Sequence, residues 1–257
     1  RQMPRRNLAI AALVVLPIIC RALRPPAKQR TAPTRRYSTA VAEDTVQKME
    51  RDGFAVVETT LLTPHVLNEA HEFVMKRHAT LIEAASKRGA NLDRLDFYEI
   101  ASRNPGRFDL RLDEEKPAVW NTLEEAVLDA SYKLPRAGTR PPRVEYAGAV
   151  VSEPGATAQK LHADGPPSSV GLYTVFVPLV DVPASMGPTH FRRGSHVGDH
   201  DSPYLTREQR RAREGAEDVV PELRRGSVLM YDYRVFHRGG ANLTGKRRPV
   251  AYVMYAR

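Results

Sequence analysis

Cysteine is nearly missing from this chain: Cys20 is the only one in 257 residues. Everything downstream of it is therefore without a disulfide or a thiolate metal site. Any metal must be held by histidine and carboxylate. Acidic residues are missing from positions 1–42, which carry nine basic side chains before the first acid, Glu43. The whole chain has 39 Lys and Arg against 30 Asp and Glu, a net charge of +9. Without those nine, 30 basic residues balance 30 acidic ones, and binding to nucleic acid has no electrostatic support. Long apolar runs are missing too. Leu8 to Cys20 is short for a membrane span and Pro17 interrupts it. A mature domain embedded in a membrane is not expected. No internal repeat is visible.

Residues 1–42 read as a targeting leader, and residues 43–257 as the folded domain. The leader is Arg-rich and acid-free, and becomes Pro/Ser/Thr-rich. Arg35-Arg36-Tyr37-Ser38-Thr39 resembles the cleavage region of a mitochondrial presequence. The apolar run behind a basic start has instead the layout of a secretory signal. A plastid leader would combine both features. Import into a mitochondrion or plastid is the expectation, with a secretory route or a short membrane anchor as the alternative.

The domain begins with helical texture and ends with strands. Gly53–Thr59 reads as a strand. Thr63-Pro64 is a helix start, with a hydroxyl at the N-cap and proline at the first helical position. Leu67, Ala70, Val74, Leu81 and Ala85 continue it as one apolar stripe to about Gly89. A second helix is expected near Lys116–Leu134. From Arg143 onward, short β-prone runs cover Val144–Val150, Leu172–Val180, Val228–Tyr231 and Val250–Tyr255, separated by Gly/Pro turns. The expectation is an α+β fold with a mainly β core, a sandwich or barrel braced by N-terminal helices. Val197–Leu223 is long, charged and poor in strand signal. Thr206–Glu214 reads as a short surface helix there, either a lid that selects substrate or a solvated insertion.

The chemistry lies in two short runs. In Leu161-His162-Ala163-Asp164-Gly165, residues two apart on a strand point to one face, so His162 and Asp164 could ligate one ion. In Phe236-His237-Arg238-Gly239-Gly240, His237 is the candidate third ligand. Two imidazoles and a carboxylate suit iron(II) and leave positions open for O2 and a co-substrate. Taken singly, an H-x-D is usually a surface turn, and its companions give it weight. If Gly239–Arg247 holds a hairpin centred between Asn242 and Leu243, His237 and Arg248 are cross-strand partners on one face. The Arg248 fork then fits a carboxylate, for which the distal end of 2-oxoglutarate is the natural candidate. Arg247 is the competitor, and a solvated Lys246-Arg247-Arg248 turn is the bland alternative.

The run Gln159–Gly165, the run Gly187–His196, Gly226–Asp232, His237–Gly240 and Asn242–Pro249 together resemble the phytanoyl-CoA dioxygenase family of iron(II)/2-oxoglutarate oxygenases. The order and spacing match over roughly residues 143–257. The resemblance implies a double-stranded β-helix, the cupin-like jelly roll, with supporting helices. It implies His162, Asp164 and His237 as iron ligands and Arg248 as the 2-oxoglutarate anchor, with O2 as oxidant and ascorbate as an accessory reductant. Related halogenases replace the motif acid with a small residue, so Asp164 argues for oxygenation. Phe176 would wall the co-substrate pocket by the same analogy, although a core role is the default. Gln159 touches co-substrate or substrate, or makes a sheet hydrogen bond. His196 reads as structural, His190 and His200 as loop residues, and His65, His71 and His78 as surface or packing residues of the first helix. Asn242-Leu243-Thr244 is a formal glycosylation sequon.

The reading is an oxygenase acting on a small molecule, hydroxylating it, or with the same oxidant desaturating or cyclising it. The alternative is a catalytically silent jelly roll that binds a ligand; a zinc hydrolase would leave Arg248 unexplained. Neither substrate nor oligomeric state is marked. Removal of residues 1–37 is expected to leave a folded, active enzyme, because the excess positive charge lies outside the domain. Circular dichroism of the truncated chain checks this, and loss of the folded signal would make the segment structural.

Overall fold

The computed structural model describes residues 39–57, 62–112, 118–131, 143–165, 169, 171–196 and 217–256. Most of the leader, His200 and the expected surface helix at Thr206–Glu214 lie outside the described residues. Helix α1 spans Thr39–Asp52, so the expected boundary at residue 42 falls inside a helix that pattern reading did not find. Its inner face includes Thr45, Met49 and Asp52, all buried. Strand β1, Phe54–Val57, follows directly.

Helix α2 spans Pro64–Lys87. The Thr63 hydroxyl accepts from the Val66 N–H at 3.4 Å, and proline occupies the first turn where no N–H is missed. Leu67, Ala70, Val74, His78 and Ala85 form its buried face. Leu81 is only half-buried, and His78 lies deep in the packing against the Phe108 ring. Helix α3, Ala118–Ser131, adds Trp120 and Leu123, both fully buried, with the Trp120 ring 6.3 Å from that of Phe73. Burying a leucine of this kind contributes roughly 1.5–3 kcal/mol.

The remaining strands are β2 (Ile100–Asn104), β3 (Arg107–Arg111), β4 (Arg143–Ser152), β5 (Leu172–Pro178), β6 (Thr189–Arg192), β7 (Asp218–Val219), β8 (Val228–Asp232), β9 (His237–Gly239) and β10 (Arg248–Ala256). Seven form one sheet in the order β1-β8-β5-β10-β4-β3-β2, and three form a second in the order β7-β6-β9. Described pairings are antiparallel, and the sequence-distant neighbours β8-β5-β10-β4 mark the double-stranded β-helix expected from the resemblance. The β2–β3 hairpin was not legible in the sequence. His190 lies in strand β6, not in a loop as expected.

Strand parity divides the large sheet into two chemically different faces. Ala147, Ala149 and Val151 of β4 share one apolar cluster with Val175, Val177, Met230, Ala251, Val253 and the helices. The opposite face looks toward the small sheet. It is partly apolar, with Phe54, Leu229 and Tyr231 packed against Phe191 and Val235. Along β3, β4 and β10, however, it carries Arg107, Asp109, Ser152, Arg248 and Tyr252, all buried. Gly148 sits in this face because a β-carbon there would fall 2.5 Å from the Tyr252 ring.

The expected hairpin joining His237 to Arg248 does not exist. Strand β9 pairs with β6 in the small sheet, while β10 pairs with β4 and β5 in the large one. The connection crosses between sheets and is pinned by Asn242, whose N–H donates to Ala156 O and whose carbonyl accepts from Gly155 N–H. Arg248 nevertheless points inward, because its register opposite Ser152 puts it on the interior face.

Candidate metal and anion site

Backbone pairing builds the centre of the site. His162 N–H donates to His237 O at 2.9 Å, and His237 N–H donates to His162 O at 2.7 Å. This isolated bridge fixes the two histidines side by side, with ring centroids 4.6 Å apart. Asp164 is held in turn by its N–H to Tyr233 O at 3.1 Å. His162 and Asp164 therefore converge from a bridge and a bend, not from a regular strand as the sequence suggested.

The ligand atoms of His162, Asp164 and His237 all lie within 4.8 Å of one another. His162 Nδ1 lies 2.8 Å from Lys160 O, and His237 Nδ1 lies 3.0 Å from Val235 O. A carbonyl only accepts, so each Nδ1 carries the hydrogen, and in the neutral ring Nε2 offers a lone pair. Those Nε2 atoms face Asp164 Oδ1, at 3.9 Å from His162 and 3.6 Å from His237. Burial lowers the pKa of His237 most, only partly opposed by Asp164 and reinforced by His162. Three acceptor atoms thus meet with no donor between them, an arrangement that a cation resolves. The donor set fits iron(II), with open positions on the remaining side.

Tyr231 completes the surroundings. Its hydroxyl donates to Asp164 Oδ2 at 2.8 Å, and its ring lies 4.8 Å from that of His237. Burial first, then the Asp164 charge, keep this phenol far above its ordinary pKa. The Tyr146 and Tyr233 hydroxyls meet at 3.2 Å. Phe176, the expected pocket wall, is half-buried on the interior face and meets Tyr231 edge-on at 5.1 Å.

Arg248 and Arg107 form the second feature. Both stand opposite Ser152, on strands either side of β4. Arg248 donates to Met186 O at 3.1 Å and Ser152 Oγ at 3.0 Å, and is 4% exposed. Arg107 donates to Gly240 O at 2.8 Å and Thr157 O at 3.2 Å, is 2% exposed, and leaves Nε without a partner. Neither has a carboxylate partner among the described residues. Burial brings Arg107 down to about 10, and burial together with Arg107 brings Arg248 down to about 9. Two buried cations without a counter-charge make an anion cradle. Arg247 points away and pairs with Glu153 at 2.8 Å on the surface.

Gln159 sits between the two features. Its N–H donates to Gly239 O and its Oε1 accepts from Gly239 N–H at 3.0 Å, the sheet-type bond foreseen as one of its options. Gly239 has to lack a side chain, because a β-carbon would fall 2.0 Å from Arg107 Nη1. Arg107 was missed in the sequence, where nothing local marks its burial. His196 is buried against Gly53, consistent with a structural role. His71 is part of a separate surface cleft with Met75, Glu153 and Arg247. Asn242 is fully buried, and its Nδ2 donates to Ser152 O, Glu153 O and Lys246 O. In the folded chain the sequon is an internal tie, closed to a glycan.

Residues 49–250 match the phytanoyl-CoA dioxygenase (PhyH) family. The chain belongs to this family. Its fold is similar to that of SnoN, an alpha ketoglutarate-dependent non-heme epimerase from nogalamycin biosynthesis. The identity is 20% and the TM-score 0.64, over 85% of this chain and 84% of SnoN. AviO1 from Streptomyces viridochromogenes Tue57 is similar at 20% identity and TM-score 0.62, over 86% of this chain and 97% of AviO1. EctD from S. alaskensis, solved with 2-oxoglutarate and 5-hydroxyectoine, is similar at 15% identity and TM-score 0.59, over 90% of this chain and 86% of EctD. These likenesses establish the cupin-like double-stranded β-helix. No helix among the described residues is long and apolar enough to cross a membrane.

Burial holds His78, His196 and His237 below their ordinary pKa. In the unfolded chain histidine takes up a proton near about 6.5. The folded state disfavours that proton, so unfolding binds protons and stability falls as pH drops below this value. The melting temperature of metal-free protein is expected to be lower at about pH 5.5 than at about pH 7.5. An unchanged melting temperature across that range would contradict the neutral state of these rings.

Proposed function

We propose that this chain is an iron(II)- and 2-oxoglutarate-dependent dioxygenase that hydroxylates a small organic substrate. The overall change is substrate, 2-oxoglutarate and O2 to hydroxylated substrate, succinate and CO2. The observation that supports it most is the conjunction of three converging acceptor atoms with two buried guanidinium groups that have no acid partner among the described residues. A metal site alone would suit a hydrolase, and an arginine pair alone would suit any anion binder. A 2-oxo diacid needs both, one end for the metal and the other for a cation.

In this reading His162, Asp164 and His237 hold the iron, which when bound supplies the activation of O2 that organic side chains lack. Arg248 holds the distal carboxylate, assisted by Ser152, whose hydroxyl already binds the guanidinium. Arg107 stands across Ser152 and lowers the cost of bringing a second negative charge into the interior. Phe176 and Tyr231 wall the space and keep water from it. Gln159 acts through Gly239, fixing the strand that carries His237. Desaturation or ring closure would use the same residues.

Purified protein is expected to bind one iron(II) per chain and to form succinate from 2-oxoglutarate when ascorbate is present. His162→Ala should abolish metal binding, measured by calorimetry. Full occupancy and turnover in that variant would remove the assignment.

Arg248→Ala loses a desolvated charge pair, worth about 2–5 kcal/mol, hence well over tenfold in co-substrate affinity. Arg247→Ala loses only a surface pair with Glu153 and should change little. Succinate formation titrated against 2-oxoglutarate in both variants separates them. Equal effects would contradict the inward and outward assignment of the two arginines.

A further inference from the structure

Tyr231 does more than fill space. Its ring packs against Phe176, Phe191 and His237, contacts that a phenylalanine would also make. The hydroxyl is the extra element, and it is spent on one atom. It donates to Asp164 Oδ2 at 2.8 Å. The other oxygen, Oδ1, faces both histidine Nε2 atoms at 3.6 and 3.9 Å. The two oxygens of one carboxylate therefore have different surroundings, one met by a phenol and one by the lone pairs that mark the ion's position. Thr174 is buried and stands opposite Tyr231 across the β5–β8 ladder, on the same face of the sheet.

We propose that Tyr231 is a positioning residue that makes Asp164 a one-oxygen ligand, and that its hydroxyl thereby keeps a coordination position open. The inference rests on the metal reading above. A free carboxylate can close on an ion with both oxygens and so occupy a position that O2 or co-substrate requires. A hydrogen bond to Oδ2 opposes that closure by giving the oxygen another partner and holding the carboxylate plane. Tyr231 reaches the metal only through Asp164.

Water-proton relaxation of the Mn(II)-loaded protein tests this without turnover, because it counts exchangeable water on the ion. A six-coordinate ion with three single-atom protein ligands keeps about three waters. In Tyr231→Phe, Asp164 is free to bind through both oxygens, and the count should fall to about two, a loss of roughly a third of the signal. Wild-type protein that binds no Mn(II) would remove the metal reading itself. Wild-type and Tyr231→Phe proteins with equal water counts would overturn only the role of Tyr231. A folded Tyr231→Phe that no longer binds Mn(II) would overturn it too, showing that the hydroxyl governs retention and not the number of bound oxygens. If Tyr231→Phe fails to fold, the wild-type count decides: about three waters support the proposal, and about two, showing Asp164 bound through both oxygens with the phenol in place, overturn it.

Discussion

The reciprocal hydrogen bonds between His162 and His237 are the constraint on which the site depends. They join a bend in one part of the chain to a strand of the small sheet. Each backbone satisfies the other, so the imidazoles are free to turn their Nε2 atoms inward. Side-chain hydrogen bonds alone would leave two rings on independent segments. Here a displacement of β9 carries both histidines with it. The Gln159–Gly239 pair extends the same ladder by two residues, and the absent side chain of Gly239 admits the Arg107 guanidinium.

Polarity inside a jelly roll has to be offset elsewhere. The interior face carries two arginines, an aspartate and several tyrosines, and the cost falls on the opposite side of the large sheet. There Ala149, Val151, Val175, Val253 and Met230 pack under α2 and α3 with Trp120 and Leu123. The helices are thus part of the functional design: they supply apolar burial that the reactive interior cannot. Asp109, the interior acid on this row, is met by Arg103 Nε at 2.9 Å from the exposed rim, and Tyr252 donates to its other oxygen at 2.8 Å. Arg107, two residues before it on β3, and Arg248 on β10 have no such partner among the described residues.

Local patterns were legible where local physics decides. The Thr63 cap and the 3.6-residue stripe of α2 depend on neighbours in sequence, and the H-x-D run with its distant histidine brought the three candidate ligands together in prospect. Non-local facts were not legible. The β2–β3 hairpin, which buries Arg107, has weak strand composition and gains its place by pairing with β4. Arg248 was given its inward direction from a hairpin that is absent. The true cause is its register with Ser152, nearly a hundred residues away in the chain, which no local spacing encodes. Tyr231 looked like one more β-prone aromatic, because what distinguishes it is the carboxylate opposite its hydroxyl.

The paired guanidinium groups put two like charges in one buried region. Burial lowers the proton affinity of both, Arg107 lowers that of Arg248 further, and this repulsion exists only when the chain is folded. An anion that settles between them relaxes the native state and leaves the unfolded chain untouched. Occupancy at a hundred times the dissociation constant adds about 2.7 kcal/mol to the free energy of unfolding. The molecule's lifetime is then a function of its small-molecule surroundings. In the proposed reading, a cradle that holds a reactant also acts as a fastener for the fold, loosest when the reactant is scarce.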